Sequence, residues 1–377
     1  MRAKLLVFSP FRSESETFDS NLKDRIDTVI SYNVKKYAVA IGEFSLVLNQ
    51  SADISRGDML LLKDEHRVFW LLVKTIVYDD DANVTSVSGT DLKGLLSKRQ
   101  CLYSSEAQDV GTYGYDVIKG FTGECCAHYV RNNLVSPEVS ERQIANLIID
   151  ESTLRCGNPS ATYMARFEPV SDVVQKLCEQ DGVCWDIVGD LESNKLIFKV
   201  YTPVCRNALQ TSREQVVFSI GRKNVSSFIR EMSNSEEKNV IYATKSGGTL
   251  EADAYTAVVC RDETFIPSGV DRDEIHINVS CEDFEDIDKY ALYDTTDYVS
   301  TDCIKCKVAY PYEYGLNYNV GDMVSVYDVK RGDVVHTNIV SADISRSNSN
   351  FDLNLMFGKE KPKPFKRIIN LTKKGVL

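Results

Sequence analysis

No run in the sequence approaches the ~18 consecutive apolar residues that a membrane span requires, so membrane insertion is not expected. The start, MRAKLLVFSPFRS, carries two basic residues, but its apolar run Leu5–Phe8 is shorter than the roughly 7–15 residues of a signal-peptide core. Synthesis and folding in the cytoplasm follow as the expectation. The eleven cysteines are odd in number and show no paired spacing, which argues against a disulfide framework and for reduced, mostly buried thiols. Clustered lysine and arginine interleaved with aromatics, the footprint of nucleic-acid binding, is also missing from a chain of net charge −11. Nucleic acid is therefore not a gripped ligand. Histidine is scarce, with only His66, His128, His276 and His336. The sequence has no G-x-S-x-G elbow, no H-E-x-x-H, no phosphate-binding G-x-x-x-x-G-K-[ST] and no G-x-G-x-x-G. No enzymatic motif is left to follow.

What is present reads as a globular chain, 43% hydrophobic and 26% charged. At 377 residues it should hold two to four modules, since single cores stop growing near roughly 250–300 residues. Residues 1–100 show short β-branched and aromatic runs at 29–32, 37–41, 44–48, 59–62, 68–77 and 84–87, divided by turn letters. They predict a small antiparallel barrel. Thr90 then reads as the cap of a helix burying Leu92, Leu95 and Leu96. Residues 101–165 read as mainly helical, with helical spacing at 118–130 and a short helix around 144–149. Residues 166–212 read as a small α/β module: a helix from Val170 to the Gly182 stop, then a hairpin of 183–188 and 195–201. Strands return over 213–358, interrupted at 261–300 by an acidic, helical insertion. A basic tail, 359–377, opens with two prolines and should leave the last domain extended.

One pattern occurs twice. GDMLLLKD at 57–64 and GDMVSVYD at 321–328 share Gly57/Gly321, Asp58/Asp322, Met59/Met323 and Asp64/Asp328. Aligning them brings strand, turn, long strand and strand into step, each repeat ending in a glycine, Gly89 or Gly358. Two unrelated hairpins sharing turn chemistry would write the same letters. The pattern favours a duplicated β-barrel with other modules spliced between.

Other constellations point back to structure. Cys303-x-x-Cys306 lies in an alternating strand, where residues three apart face opposite sides. Cys125, Cys126 and His128 lack a second ligand pair, and Asp79, Asp81 and Asn83 start a calcium-loop pattern without its glycine and terminal glutamate. Metal, cofactor and catalytic residues are accordingly assigned as none. R-G-D at 56–58 and 331–333 falls in predicted turns and receives no function.

The stretch SGTDLKGLLSKRQCLY at 88–103, with GVDRDEI at 269–275, NVGDMVSVYD and the pair Phe357–Gly358, resembles the tail hub proteins of long-tailed bacteriophages and phage-tail-like particles. The resemblance covers roughly residues 20–358. It implies a mainly β fold with α+β insertions: two tail-tube-like antiparallel β-barrels, plus a helical and a small α/β module. It further implies a homotrimer whose six barrels ring a channel, partnered by a tail tube or distal tail protein, a tape measure protein and a tip or spike protein. DNA would pass through without specific binding, and the place would be the virion tail, assembled in the host cytoplasm. With only about 19 residues after Gly358, the expectation is a bare hub without a lytic domain. The alternatives are a receptor- or glycan-binding tail protein and a cell-wall hydrolase.

Overall fold

The computed structural model describes residues 3–49, 52–102, 115–245, 256–262, 264, 266–279, 287–295, 298–309, 312–347 and 350–359. The chain is mostly β, with large antiparallel pairings and few helices. None of the described helices is long and apolar enough to cross a membrane. It divides into two compact units, one of residues 1–227 with 306–355 and the other of residues 228–305 with 356–377.

The first unit opens with two strands whose turn spacing the sequence does not mark, β1 (Lys4–Phe8) and β2 (Leu22–Ile26). Between them Thr17 caps the single-turn α1 (Phe18–Asn21), its Oγ1 accepting the Ser20 amide at 3.1 Å. The cap turns Phe18 inward, where its ring lies 5.1 Å from Phe8, 4.9 Å from Phe11 and 5.0 Å from Trp70. Then come β3 (Ser31–Tyr37), β4 (Glu43–Asn49), β5 (Met59–Asp64), β6 (Arg67–Asp79) and β7 (Val84–Asp91). They pair in the order β3-β4-β7-β6-β5-β1-β2, antiparallel throughout. Residues 29–41, read as two strands, form the single strand β3 and a following turn. The alternation of buried Tyr32 and Val34 with less buried neighbours runs on through Asn33 and Lys35, and Lys36 is held by a carboxylate from a later strand.

After β7 the chain turns into a 3-10 helix, Leu92–Lys98, in which Leu92, Leu95 and Leu96 are buried as the spacing requires. Its cap position is Asp91, the last residue of β7, and Thr90 lies one residue further back in the strand, opposite Leu72. Residues 101–165 carry more strand than their spacing suggests. β8 (Asp116–Gly120) precedes α2 (Thr122–Val130), so only the second half of the 118–130 pattern is helical. Strand β9 (Leu147–Ile149) replaces the short helix around 144–149, pairing in parallel with a later strand, and β10 (Ala161–Ala165) pairs with β8. Short apolar runs fit a buried strand as well as a helix, and here the available edges decided. The helix α3 (Val170–Asp181) ends at Gly182, whose φ of +66° gives the left-handed stop, and it packs against α2. β11 (Cys184–Asp190) and β12 (Lys195–Tyr201) form the expected hairpin, with β9 beside β12. The two-residue β13 (Val217–Phe218) and β14 (Val225–Ser233) follow.

In the second unit β15 (Val240–Lys245) pairs antiparallel with β16 (Thr256–Cys260) and parallel with β17 (Glu274–Val279), and α4 (Ile287–Asp294) packs on this sheet. The acidic stretch is thus strand and helix rather than helix alone. β18 (Thr301–Val308) leads back to the first unit, where β19 (Met323–Asp328), β20 (Asp333–Ser347) and β21 (Asn350–Gly358) carry the second repeat. The basic tail beyond residue 359 lies outside the described residues.

All ten described cysteines are free thiols, and all but Cys205 and Cys260 are buried. Burial raises the Cys125 and Cys184 thiols to about 12, which suppresses the reactive thiolate. A thiol reagent applied to the native protein should therefore label Cys205 and Cys260 among these ten and spare the others until denaturant is added. Peptide mapping that found Cys125 labelled in the native protein would contradict this packing.

Candidate assembly interface

The repeated G-D-M is a repeated piece of geometry. Gly57 and Gly321 have φ of +95° and +94°. Gly57 donates to the Val73 carbonyl at 2.9 Å and Val73 donates back to Asp58 at 2.9 Å; Gly321 and Ile339 repeat this at 2.7 Å, with Ile339 donating to Asp322 at 3.0 Å. The buried carboxylates of Asp58 and Asp322 each accept a backbone amide three residues earlier, from Ser55 at 2.8 Å and from Asn319 at 3.0 Å. Each also meets a cation, Lys23 at 2.8 Å and Arg206 at 3.0 Å. A glycine at such a φ avoids the roughly 1–2 kcal/mol that a Cβ costs. Gly57→Ala should cost about that much, since nothing lies within 4 Å of its Cβ, whereas a Cβ on Gly321 would stand 2.7 Å from Cys184 Sγ and add a clash. Urea unfolding of the two variants would show Gly321→Ala as the weaker protein; equal losses would contradict the close approach of Cys184 to Gly321.

The far ends of the two hairpins match as well. Asp64 and Asp328 are buried, and each pairs with the arginine three residues on, Arg67 at 3.4 Å and Arg331 at 2.8 Å. The two long strands, β6 and β20, then diverge in their partners. Residues Ser341–Ser347 of β20 pair with Tyr37–Ser31 of β3, so the second repeat is stitched to the first by a continuous antiparallel ladder. The corresponding length of β6, Thr75–Asp79, pairs with β7 alone among the described residues.

Charge closes the β20–β3 joint. Arg346 reaches the first repeat's turn, with Nη1 3.0 Å from Asp64 Oδ1 and Nη2 3.1 Å from Glu65 Oε1. Tyr32 donates a short hydrogen bond to Asp64, and the Phe351 ring lies 4.0 Å from the Arg67 guanidinium. Burial and the Asp64 carboxylate together push the Tyr32 hydroxyl's pKa up, and the Arg346 hydrogen bond holds the Glu65 carboxyl below the usual range. Beside this joint Lys36 pairs with Asp186 at 3.2 Å. Burial pulls Lys36 down, but Asp186 and Asp91 together hold it above its ordinary value.

The signature stretch at 88–103 now has a physical role. Lys93 is buried and donates to the carbonyls of Tyr37 at 2.7 Å, Ala40 at 2.9 Å and Ala38 at 3.4 Å, which pins the turn after β3. Its ammonium lies 4.9 Å from the Trp185 ring, and Trp185 Nε1 donates to Val39 at 2.5 Å. Composition and spacing give no warning that a lysine should be buried here. Only the three converging carbonyls explain it.

The remaining candidates from the sequence stay apart. His66 bonds the Tyr314 carbonyl at 2.9 Å, His128 meets Asp116 at 2.6 Å, His276 bonds Thr244 at 2.9 Å and His336 bonds Ser325 at 2.9 Å. Cys126 Sγ is 3.9 Å from Cys178 Sγ, while Cys125 points at the Ala161 carbonyl. Cys303, Ile304 and Cys306 are all buried, so both faces of β18 are covered there. Asp79 accepts the Ala82 amide and Asn83 takes a φ of +53°, a hairpin turn. No cluster of metal-ligating side chains occurs among the described residues. Asp58 of the first R-G-D is buried and ion-paired, which removes it from any adhesive surface.

With this geometry in view, a family model described as siphovirus ReqiPepy6 Gp37-like protein matches residues 17–359. The chain belongs to that family. Its fold is also that of solved tail proteins. A 43 kDa tail protein of prophage MuSo2 from Shewanella oneidensis aligns at 14% identity and a TM-score of 0.57, covering 94% of this chain and 98% of that one. A tail protein from Neisseria meningitidis aligns at 10% identity and 0.53, covering 96% and 97%. Prophage tail protein gp18 from Listeria monocytogenes aligns at 11% identity and 0.52, covering 99% and 100%. No curated protein matches.

Proposed function

We propose that this chain is a structural hub of a phage tail, a homotrimeric ring of six barrels joining the tail tube to the tip. Its work is geometric, with no catalysis and no cofactor. The ring leaves a channel for the tape measure protein and for DNA, and the net charge of −11 suits a wall that must not hold phosphates. The carrying observation is the β20–β3 joint. Two repeats in one chain are already joined edge to edge, while the equivalent length of β6 has one paired edge. An unpaired strand edge is a template for another strand, and a head-to-tail contact that closes by rotation generates a ring. Three chains with two repeats each would let a threefold hub meet a sixfold tube.

Cryo-EM of the purified protein, alone and with its tail tube, viewed down the axis, tests this. Six similar barrels around a pore with threefold symmetry are expected. A monomer in both samples would refute the hub reading.

A further inference from the structure

The intrachain joint carries a charge arrangement whose counterpart between chains is written in the opposite sign. Inside one chain, the end of the long strand β20 presents a cation, Arg346, to an acidic turn, Asp64–Glu65 of the first repeat. Arg346 stands seven residues beyond Ile339, and seven residues beyond the equivalent Val73 stands Asp80. The end of β6 is thus acidic, Asp79-Asp80-Asp81, where the end of β20 is basic. The turn of the second repeat, equivalent to Asp64–Arg67, is basic: Val329-Lys330-Arg331 follows Asp328. Lys330 and Arg331 are exposed, as are Asp79, Asp80 and Asp81.

Apolar surface accompanies both charges. Val77 and Tyr78, just before the acidic tip, are 55% and 58% exposed. On the other side Val329 and Val334 are 49% and 50% exposed, and Tyr327 stands opposite Val334 in the ladder. Ile220 lies in the adjoining 3-10 turn, where a Cβ on Gly221 would be 3.4 Å from Val329 Cγ2. These residues form one apolar surface, and Arg222 and Lys223 add to its basic rim.

We propose, resting on the ring reading above, that the acidic β6–β7 tip of one chain docks on the basic β19–β20 turn of the neighbouring chain. Tyr78 covers Tyr327, Val329 and Val334, with Val77 on the opposite face of β6, and Asp80 and Asp81 face Lys330 and Arg331. Sign reversal between the two joints makes each select its own partner. A β6 tip brought to the acidic Asp64–Glu65 turn is repelled, and so is Arg346 brought to the Lys330–Arg331 turn. Charged interfaces of this kind set register and exclude wrong partners more than they add affinity.

The test is sedimentation velocity of the full chain, alone and bound to its tail tube, at low and high salt. Asp80→Lys with Asp81→Lys, and separately Lys330→Glu with Arg331→Glu, should each weaken trimer formation at least tenfold at low salt. Combining all four substitutions should restore it. Arg331 also holds Asp328, so Lys330→Glu alone serves as a variant that leaves that pair intact, with a smaller loss in the same direction. Trimers of unchanged strength in the paired variants, or failure of the fourfold variant to recover, would overturn the docking while leaving the ring reading in place. A wild-type chain that stays monomeric both alone and on the tube would overturn both.

Discussion

Arg346→Met should destabilise the protein by about 3 kcal/mol, as read from urea unfolding at neutral pH. Removing one partner of a buried ion pair leaves an uncompensated charge, at a cost of roughly 3–5 kcal/mol. The lower end applies here because Asp64, although fully buried, keeps Arg67 at 3.4 Å and the Tyr32 hydrogen bond. The control is Asp64→Asn in the Arg346→Met background, which removes the stranded charge and should recover part of the loss, so that the two substitutions are non-additive. A pH series adds a second readout. Arg346 depresses the Glu65 carboxyl, so that group's contribution is present above the ordinary glutamate range and is lost as the pH falls through the depressed value. The gap between wild type and variant should narrow in acid. A variant within about 0.5 kcal/mol of wild type, the usual range for surface substitutions, would mean that the β20–β3 joint does not depend on this network.

Lys93→Met is expected to cost as much or more, about 3–5 kcal/mol, because up to three carbonyls, one buried and two half-buried, lose their donor and each group left unsatisfied costs roughly 1–3 kcal/mol. Methionine keeps the length and apolar stem of lysine, so packing is retained and the measured loss reports the hydrogen bonds, the contact with Trp185 and the positive charge that Lys93 sets beside Asp186 and the buried Asp91. Burial lowers the pKa of Lys93, which means the unfolded chain holds that proton more tightly. Wild-type stability should therefore rise relative to Lys93→Met as the pH climbs from the depressed value towards the ordinary lysine range. A loss that did not change with alkaline pH would place the ammonium in water.

Much of the local structure was legible because it rests on short-range rules. Val170–Asp181 shows helical spacing and a glycine stop, and α3 follows it. The repeated G-D-M demands a glycine at positive φ and an aspartate that accepts an amide three residues back, so two distant octets predict the same turn. The failures have physical causes too. Residues 29–41 gave one strand and a turn instead of two strands; the strand runs through Lys36, which is held by Asp186 some 150 residues away. Residues 144–149 became a strand because β12 offered an edge beside them. Edges belong to the assembled sheet, and no periodicity in a short apolar run reports them.

By itself, the sequence determined the mainly β character, the absence of a paired cysteine spacing and of catalytic motifs, and the repeated G-D-M turn, since each depends on composition, spacing or turn chemistry within a few residues. Tertiary structure alone decided how the repeats meet. The β20–β3 ladder, the reach of Arg346 to Asp64 and the burial of Lys93 beneath three carbonyls join residues tens to hundreds of positions apart. Such contacts exist only once the chain has closed the loops between them, and loop closure leaves no local pattern to read.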